Sequence, residues 1–75
     1  MPELRKVSGE QAIKALQRLG FRRVRQRGSH VILKKNTPSG EIGCVVPLHK
    51  ELKIGTLRGI LKLAKIKPEE FLESL

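Results

Sequence analysis

The amino-acid sequence predicts an α+β fold of order α-β-β-β-α with a short C-terminal helix, a three-stranded antiparallel sheet packed on helices. Three observations predict it. Two stretches carry apolar residues at helical spacing, Ala12 to Leu19 and Leu57 to Ala64. Between them lie three short runs of β-forming residues. Those runs are separated by Gly28-Ser29 and by Asn36-Thr37-Pro38-Ser39-Gly40, turns too short for anything but a meander. The 75 residues leave room for one domain, spanning 1–75, and for a shallow site rather than a deep enclosed one.

The elements follow in order. Ser8-Gly9-Glu10-Gln11 fits a capping box, with Ser8 as N-cap and Gln11 three residues on. Ala12, Ile13, Leu16 and Leu19 then share one face, and Gly20 is a natural stop, so the first helix covers about residues 9–19. Phe21–Gln26 reads as a first strand, His30–Lys34 as a second and Ile42–Pro47 as a third. Leu57, Ile60, Leu61 and Ala64 define a second helix that begins near Ile54–Thr56. Pro68 suits the first turn of a third, short helix, where Glu69 and Glu70 meet the positive helix start and Phe71, Leu72 and Leu75 can dock. The double-stranded-RNA-binding fold has this layout, which by itself assigns no function.

Register decides which face is buried. A second hairpin pivoting on Pro38 pairs Ile32 with Cys44 and His30 with Val46. Ile32, Ile42, Cys44 and Val46 then face the core, and Val31, Leu33 and Val45 form an outer apolar patch. On the first strand, alternation turns Val24 inward and Arg23, Arg25 and Arg27 outward.

Charge narrows the partners. Lys and Arg number 16 against 7 Asp and Glu, a net +9. No acid occurs from Gln11 to Gly40, a stretch holding Lys14, Arg18, Arg22, Arg23, Arg25, Arg27, Lys34 and Lys35. The acids are Glu3, Glu10, Glu41, Glu51, Glu69, Glu70 and Glu73. A positive middle and a negative tip fit a phosphate backbone as partner. No apolar run approaches the roughly 18 residues that cross a bilayer, and Met1–Val7 is too polar for a signal peptide. Cys44, the one cysteine, excludes an internal disulfide and reads as a small core residue. The expected location is the cytoplasm.

Few residues can do chemistry. His30 follows Gly28-Ser29 at the mouth of the first hairpin, where backbone N–H groups with Arg25 and Arg27 can hold a phosphate. Its imidazole can move a proton near neutrality. RNA brings its own nucleophile, the 2′-hydroxyl, so a base at that point can promote attack on the adjacent phosphate without a metal and leave a cyclic phosphate end. His49 closes the third strand and should lie at the same end of the sheet, either as an acid–base partner or simply as a polar loop residue. Ser29 orders the turn rather than attacking, since no acid is present to orient a Ser–His pair. Arg23, Arg25, Arg27, Lys34 and Lys50 are the groups expected to hold RNA, with Gly28, Ser29 and His49. Arg58, Lys62 and Lys65 read as ordinary solvated helix charges. No spacing suggests a metal site.

Gly20-Phe21 followed by Arg25-Gln26-Arg27-Gly28-Ser29-His30 resembles the "GF…RQ-K/R-GSH" signature of the HicA (YcfA-like) toxins. Val46-Pro47-Leu48-His49 is similar to their "VPVH" strand end, and Glu51 to Leu61 to their "EL-KPGTL-R-ILKQ" segment. Glu69-Glu70-Phe71-Leu72 fits the family's ending. Together these motifs are specific, whereas each alone is weak. The resemblance implies a dsRBD-like fold and a cofactor-free, prokaryotic mRNA interferase, an endoribonuclease toxin of a type II toxin–antitoxin system. It implies that His30 is the catalytic residue and that a HicB-type antitoxin masks the site around it. Three positions depart from the family pattern. Val31 stands where many members have a second His, Ile54 stands at the usual Pro position, and Gly59 interrupts the second helix. Two other readings compete: a non-catalytic RNA-binding module on the same scaffold, and a protein-interaction domain using the outer apolar patch.

Overall fold

The structure, a computed structural model, describes residues 4–75. Glu3 and the first residues of the polar N-terminal stretch lie outside that range. Helix α1 (Gly9–Arg18) is followed by strands β1 (Arg22–Arg27), β2 (His30–Thr37) and β3 (Gly40–Pro47), then helices α2 (Ile54–Ala64) and α3 (Pro68–Ser74). The strands form one antiparallel sheet of order β1-β2-β3. The expected α+β, dsRBD-like order is present, with the helices on one face of the sheet.

Local chemistry explains the boundaries. The Ser8 hydroxyl accepts from the Gln11 N–H at 3.0 Å, and the Gln11 side chain accepts from the Ser8 N–H at 2.9 Å, the reciprocal capping box. At the other end Phe21 N–H donates to Leu16 O and Gly20 N–H to Gln17 O, a Schellman stop that needs the positive φ of Gly20, 101°. Helix α2 stops in a similar way. There Ile66 N–H donates to Leu61 O, and Lys65 takes the left-handed conformation at φ 55°. Pro68 opens α3, and Phe71 is fully buried beneath it.

The core joins Ile13 and Leu16 of α1, Leu57 and Leu61 of α2 and Phe71 of α3 to the inner face of the sheet. That inner face is Val31, Leu33, Cys44 and Val46, each between 0 and 3 % exposed. This corrects the sequence expectation for β2. Val31 pairs with Val46, Leu33 with Cys44, Ile32 with Val45 and His30 with Pro47. The hairpin has two loop residues, Pro38 and Ser39, between the closing pair Thr37 and Gly40, rather than a single pivot at Pro38. One residue of difference exchanges the faces of β2 while leaving those of β3 unchanged. Val31 and Leu33 therefore belong to the core, and Ile32 turns outward.

Strand β1 carries a second correction. Its register shifts between Arg23, opposite Leu33, and Arg25, opposite Ile32, so Val24 is the extra residue of a bulge. Val24 is 43 % exposed, not inward. Arg25 and Arg27 share the outer face with Ile32 and His30, whereas Arg23 falls on the opposite side, where its guanidinium donates to Gln26 Oε1 at 2.8 Å. A short, bulged edge strand of arginines also resists pairing with another sheet.

Two glycines give a stability test of opposite sign. Gly59 sits mid-helix, and a Cβ there would meet nothing within 4 Å, so Gly59→Ala should stabilise by about 1 kcal/mol and raise the thermal midpoint by about 4–8 °C. A Cβ on Gly9 would lie 2.1 Å from the Pro47 carbonyl oxygen, so Gly9→Ala should destabilise by about 1–3 kcal/mol. Equal melting temperatures for the two variants would contradict the packing described.

Burial pushes the Cys44 thiol up to about 11 from 9.0. The unfolded chain thus loses this proton first as pH rises, and folding stability attributable to Cys44 declines between pH 9 and about 11. Denaturant titrations across that window should show a smaller decline for Cys44→Ala than for the parent protein. Parallel declines would show that the thiol titrates alike in both states.

Candidate functional site

Gly28 and Ser29 form a two-residue hairpin loop between Arg27 and His30, which face each other across the strands. Gly28 has φ 57° while Ser29 does not have positive φ, the pattern of a type II′ turn with glycine in the first central position. The turn's carbonyls are used internally. Gly28 O accepts from the Gln26 amide at 2.9 Å, and Ser29 O accepts from Leu48 N–H at 2.7 Å.

His30 is exposed, at the start of β2. Because Val31 and Leu33 point into the core, His30 points the other way, onto the face of the sheet that no helix covers. Arg27 is its direct cross-strand partner, which puts their Cα atoms about 4.5–5.5 Å apart. Arg25 follows on the same face. Among the described residues neither arginine is in an ion pair, so both charges are available to an anion at the turn.

His49 reaches the same end by a different route. After β3 the chain passes beside the first hairpin through the Leu48–Ser29 hydrogen bond. The next peptide is held by the start of α1, where Gly9 N–H donates to His49 O at 2.8 Å. Gly9 makes this approach possible, since no side chain fits against Pro47 O. His49 and Lys50 are both exposed there.

The residues singled out from sequence thus divide. Gly28, Ser29, His30, Arg25 and Arg27 come together at one end of the outer sheet face, with His49 and Lys50 in the adjoining segment. Lys34 is on that face but four residues along β2, about 13 Å from His30. Its ammonium lies 3.3 Å from Glu41, which also binds Arg22 at 3.3 Å. Arg23 is on the opposite side. Between the two ends, Val24, Arg25, Ile32 and Lys34 line a shallow hollow of about 330 Å³, and Val45 is 44 % exposed beside Ile32. The outer apolar patch therefore exists, but it consists of Val24, Ile32 and Val45 rather than Val31, Leu33 and Val45.

Sequence reasoning missed one feature. Arg5 and Lys6 approach Lys14 and Arg18 across a groove on the far side of α1. The spacing of Lys14 and Arg18, one turn apart, was a visible signal. The return of the N-terminal segment beside them, fixed by Leu52 N–H donating to Val7 O at 2.7 Å, was not. Among the described residues, no three His, Cys, Asp or Glu side chains are grouped to hold a metal ion, and no helix is long and apolar enough to cross a membrane.

No curated protein matches the chain. Residues 9–66, from the first residue of α1 to just beyond α2, match the family described as HicA toxin of bacterial toxin–antitoxin. The match contains the Gly28-Ser29-His30 turn, the strand end at His49 and the whole of α2. The chain belongs to the HicA toxin family, the mRNA-cleaving toxins of bacterial toxin–antitoxin pairs, and its counterpart is an antitoxin.

Proposed function

We propose that the protein is a metal-independent endoribonuclease in which His30 takes the proton of a ribose 2′-hydroxyl. The observation that carries this reading is the exposed imidazole at a glycine turn, with Arg27 directly opposite and Arg25 on the same face. As His30 accepts the proton, the 2′-oxygen bonds to the neighbouring phosphorus and the bond from phosphorus to the 5′-oxygen breaks. The 5′-oxygen takes a proton, from His49 or from water. The products are a cyclic 2′,3′-phosphate and a 5′-hydroxyl. Arg25 and Arg27 hold the phosphate and offset the negative charge that builds on it during attack. Gly28 and Ser29 fix the turn that carries the imidazole, and Lys50 extends the positive field on the His49 side.

A HicB-type antitoxin is the partner that this site implies. Its docking would cover Val24, Ile32 and Val45, the apolar centre of the outer face, and close off His30 at its end. Protein interfaces use such an apolar centre with a charged rim. The two ligands would then compete for Arg25 and Arg27, so simultaneous tight binding of RNA and antitoxin would contradict this arrangement. The site works in the cytoplasm of a prokaryotic cell, where mRNA and a co-produced antitoxin meet.

Replacing His30 by Ala should lower cleavage of single-stranded RNA by about 10²–10⁴-fold. RNA affinity should stay within a few fold. The same cleavage should persist in a chelator. If the wild-type protein binds RNA but leaves it intact, the fold serves as a binding module. If the chelator abolishes cleavage and a divalent ion restores it, the metal-free route is wrong.

His49 has a separate readout. With two imidazoles sharing the proton transfers, the pH dependence of cleavage is bell-shaped. His49→Ala should remove one limb of that bell. An unchanged profile would make water the proton donor to the 5′-oxygen.

A further inference from the structure

Beside α1, away from the outer sheet face, lies a groove of about 420 Å³. Arg5 and Lys6 line it from the N-terminal segment, and Gln11, Lys14 and Arg18 from the helix. Among the described residues its lining holds four cationic side chains and no Asp or Glu. Gln11, Lys14 and Arg18 follow one side of α1, spanning about 10 Å along its axis at 1.5 Å per residue. Lys6 is 3.3 Å from Glu51, whereas Lys14 and Arg18 are in no ion pair among the described residues.

Backbone hydrogen bonds tie the start of α1, at one end of the groove, to the segment beside His30. The groove's Gln11 end adjoins the capped start of α1, and Gly9 there is bonded to His49. His49 adjoins Leu48, which is bonded to Ser29 beside His30. Exposed His49 and Lys50 lie between the two regions, where Glu10 follows Gly9 and Glu51 follows Lys50 along the chain.

We propose that this groove is a second phosphodiester-binding site, holding the stretch of RNA that flanks the bond presented to His30; it rests on the reading of RNA as the substrate. The lining favours a nucleic-acid backbone over an acidic protein segment. Protein partners are anchored by apolar and aromatic side chains in desolvated pockets. Here Val7 is already buried in the core, Leu75 packs against it, and no aromatic residue is present. Phosphate binding needs only positioned cations. Substrate length beyond the cleaved dinucleotide thus contributes affinity without touching the chemistry.

The test uses 2′-O-methyl RNA, which lacks the nucleophile, and compares a trinucleotide with a long single strand. Arg5→Gln/Lys14→Gln alters two exposed side chains and leaves Arg18, which donates to Ser74 O at 2.7 Å, in place. The double variant should bind the long strand about tenfold more weakly, with a salt slope smaller by about 1.4, from 0.7 per lost contact on a single strand. Its affinity for the trinucleotide should match that of the parent. Lys14→Ala alone, with an unchanged melting temperature, should give about half the slope change. Unaltered affinity and slope on the long strand would overturn the proposal. So would retained RNA binding with weakened binding of the antitoxin, which would make the groove a protein-docking site. Cleavage by His30→Ala is scored separately. If that variant still cleaves while the groove variants lose length-dependent affinity, the assignment of His30 fails and the groove remains.

Discussion

The direction in which His30 points depends on the pairing of β2 with β3. A strand has two faces, and the apolar pairs Val31–Val46 and Leu33–Cys44 must both meet the helices. Once they do, alternation sends His30, Ile32 and Lys34 to the other side. The two-residue loop Pro38-Ser39 supplies the odd register that makes this possible, and Thr37 Oγ1 donating to Gly40 O at 2.6 Å holds its closing pair. Burial of the four core side chains opposes any slip, because a shift of one residue would put Ile32 and the charged Lys34 against α1 and α2. At roughly 1.5–3 kcal/mol for each large apolar side chain buried, the correct register is favoured far more strongly than any surface contact at the site could achieve. The orientation of the site is thus a by-product of core packing.

The second determinant is the segment Pro47–His49, tied on one side to the first hairpin and on the other to α1. Two backbone hydrogen bonds, Leu48 to Ser29 and Gly9 to His49, make three separate parts of the chain converge at one end of the sheet. Neither bond uses a side chain, so residue identity matters chiefly at Gly9, where only the absence of a Cβ lets the helix start approach Pro47. The capping box at Ser8 and Gln11 fixes that helix start in turn. The His30 end of the molecule is therefore braced by local backbone elements, although Arg25, Arg27, His30, His49 and Lys50 are all exposed.

Much of this was legible in the sequence because it is local. The capping box, the Gly20 stop, the Gly28 turn and Pro68 at the start of α3 each announce themselves within a few residues. So did the gathering of His30, Arg25 and Arg27 around one turn, and the arrival of His49 at the same end. What could not be read depends on single-residue counts or on distant segments. Whether Pro38 is a pivot or the first of two loop residues changes no residue type, yet it exchanged the faces of β2. The bulge at Val24 reversed Arg23 relative to Arg25 for the same reason: alternation along β1 was broken at a place with no glycine or proline to mark it. Val31, which departs from the family's second histidine, turned out to be fully buried, so that position serves the core and not the outer face. The groove beside α1 needed the return of the N-terminal segment, which no periodicity reveals.

Charge completes the logic of the surface. At the end of the sheet away from His30, Glu41 draws Arg22 and Lys34 together at 3.3 Å each. Such exposed pairs contribute about 0–1 kcal/mol to stability, so their main effect is on the field. They neutralise the far end of the outer face and leave Arg25 and Arg27 as its strongest anion-attracting groups. Glu69 and Glu70 of α3 sit at the helix start, where the dipole favours them, and do not line the groove beside α1. A basic chain of this size would attract polyanions anywhere on its surface if its charges were evenly spread. Glu41 instead lies where it offsets Arg22 and Lys34, so among the described residues the unpaired cations Arg25 and Arg27 are left at the end of the outer face that carries the imidazole.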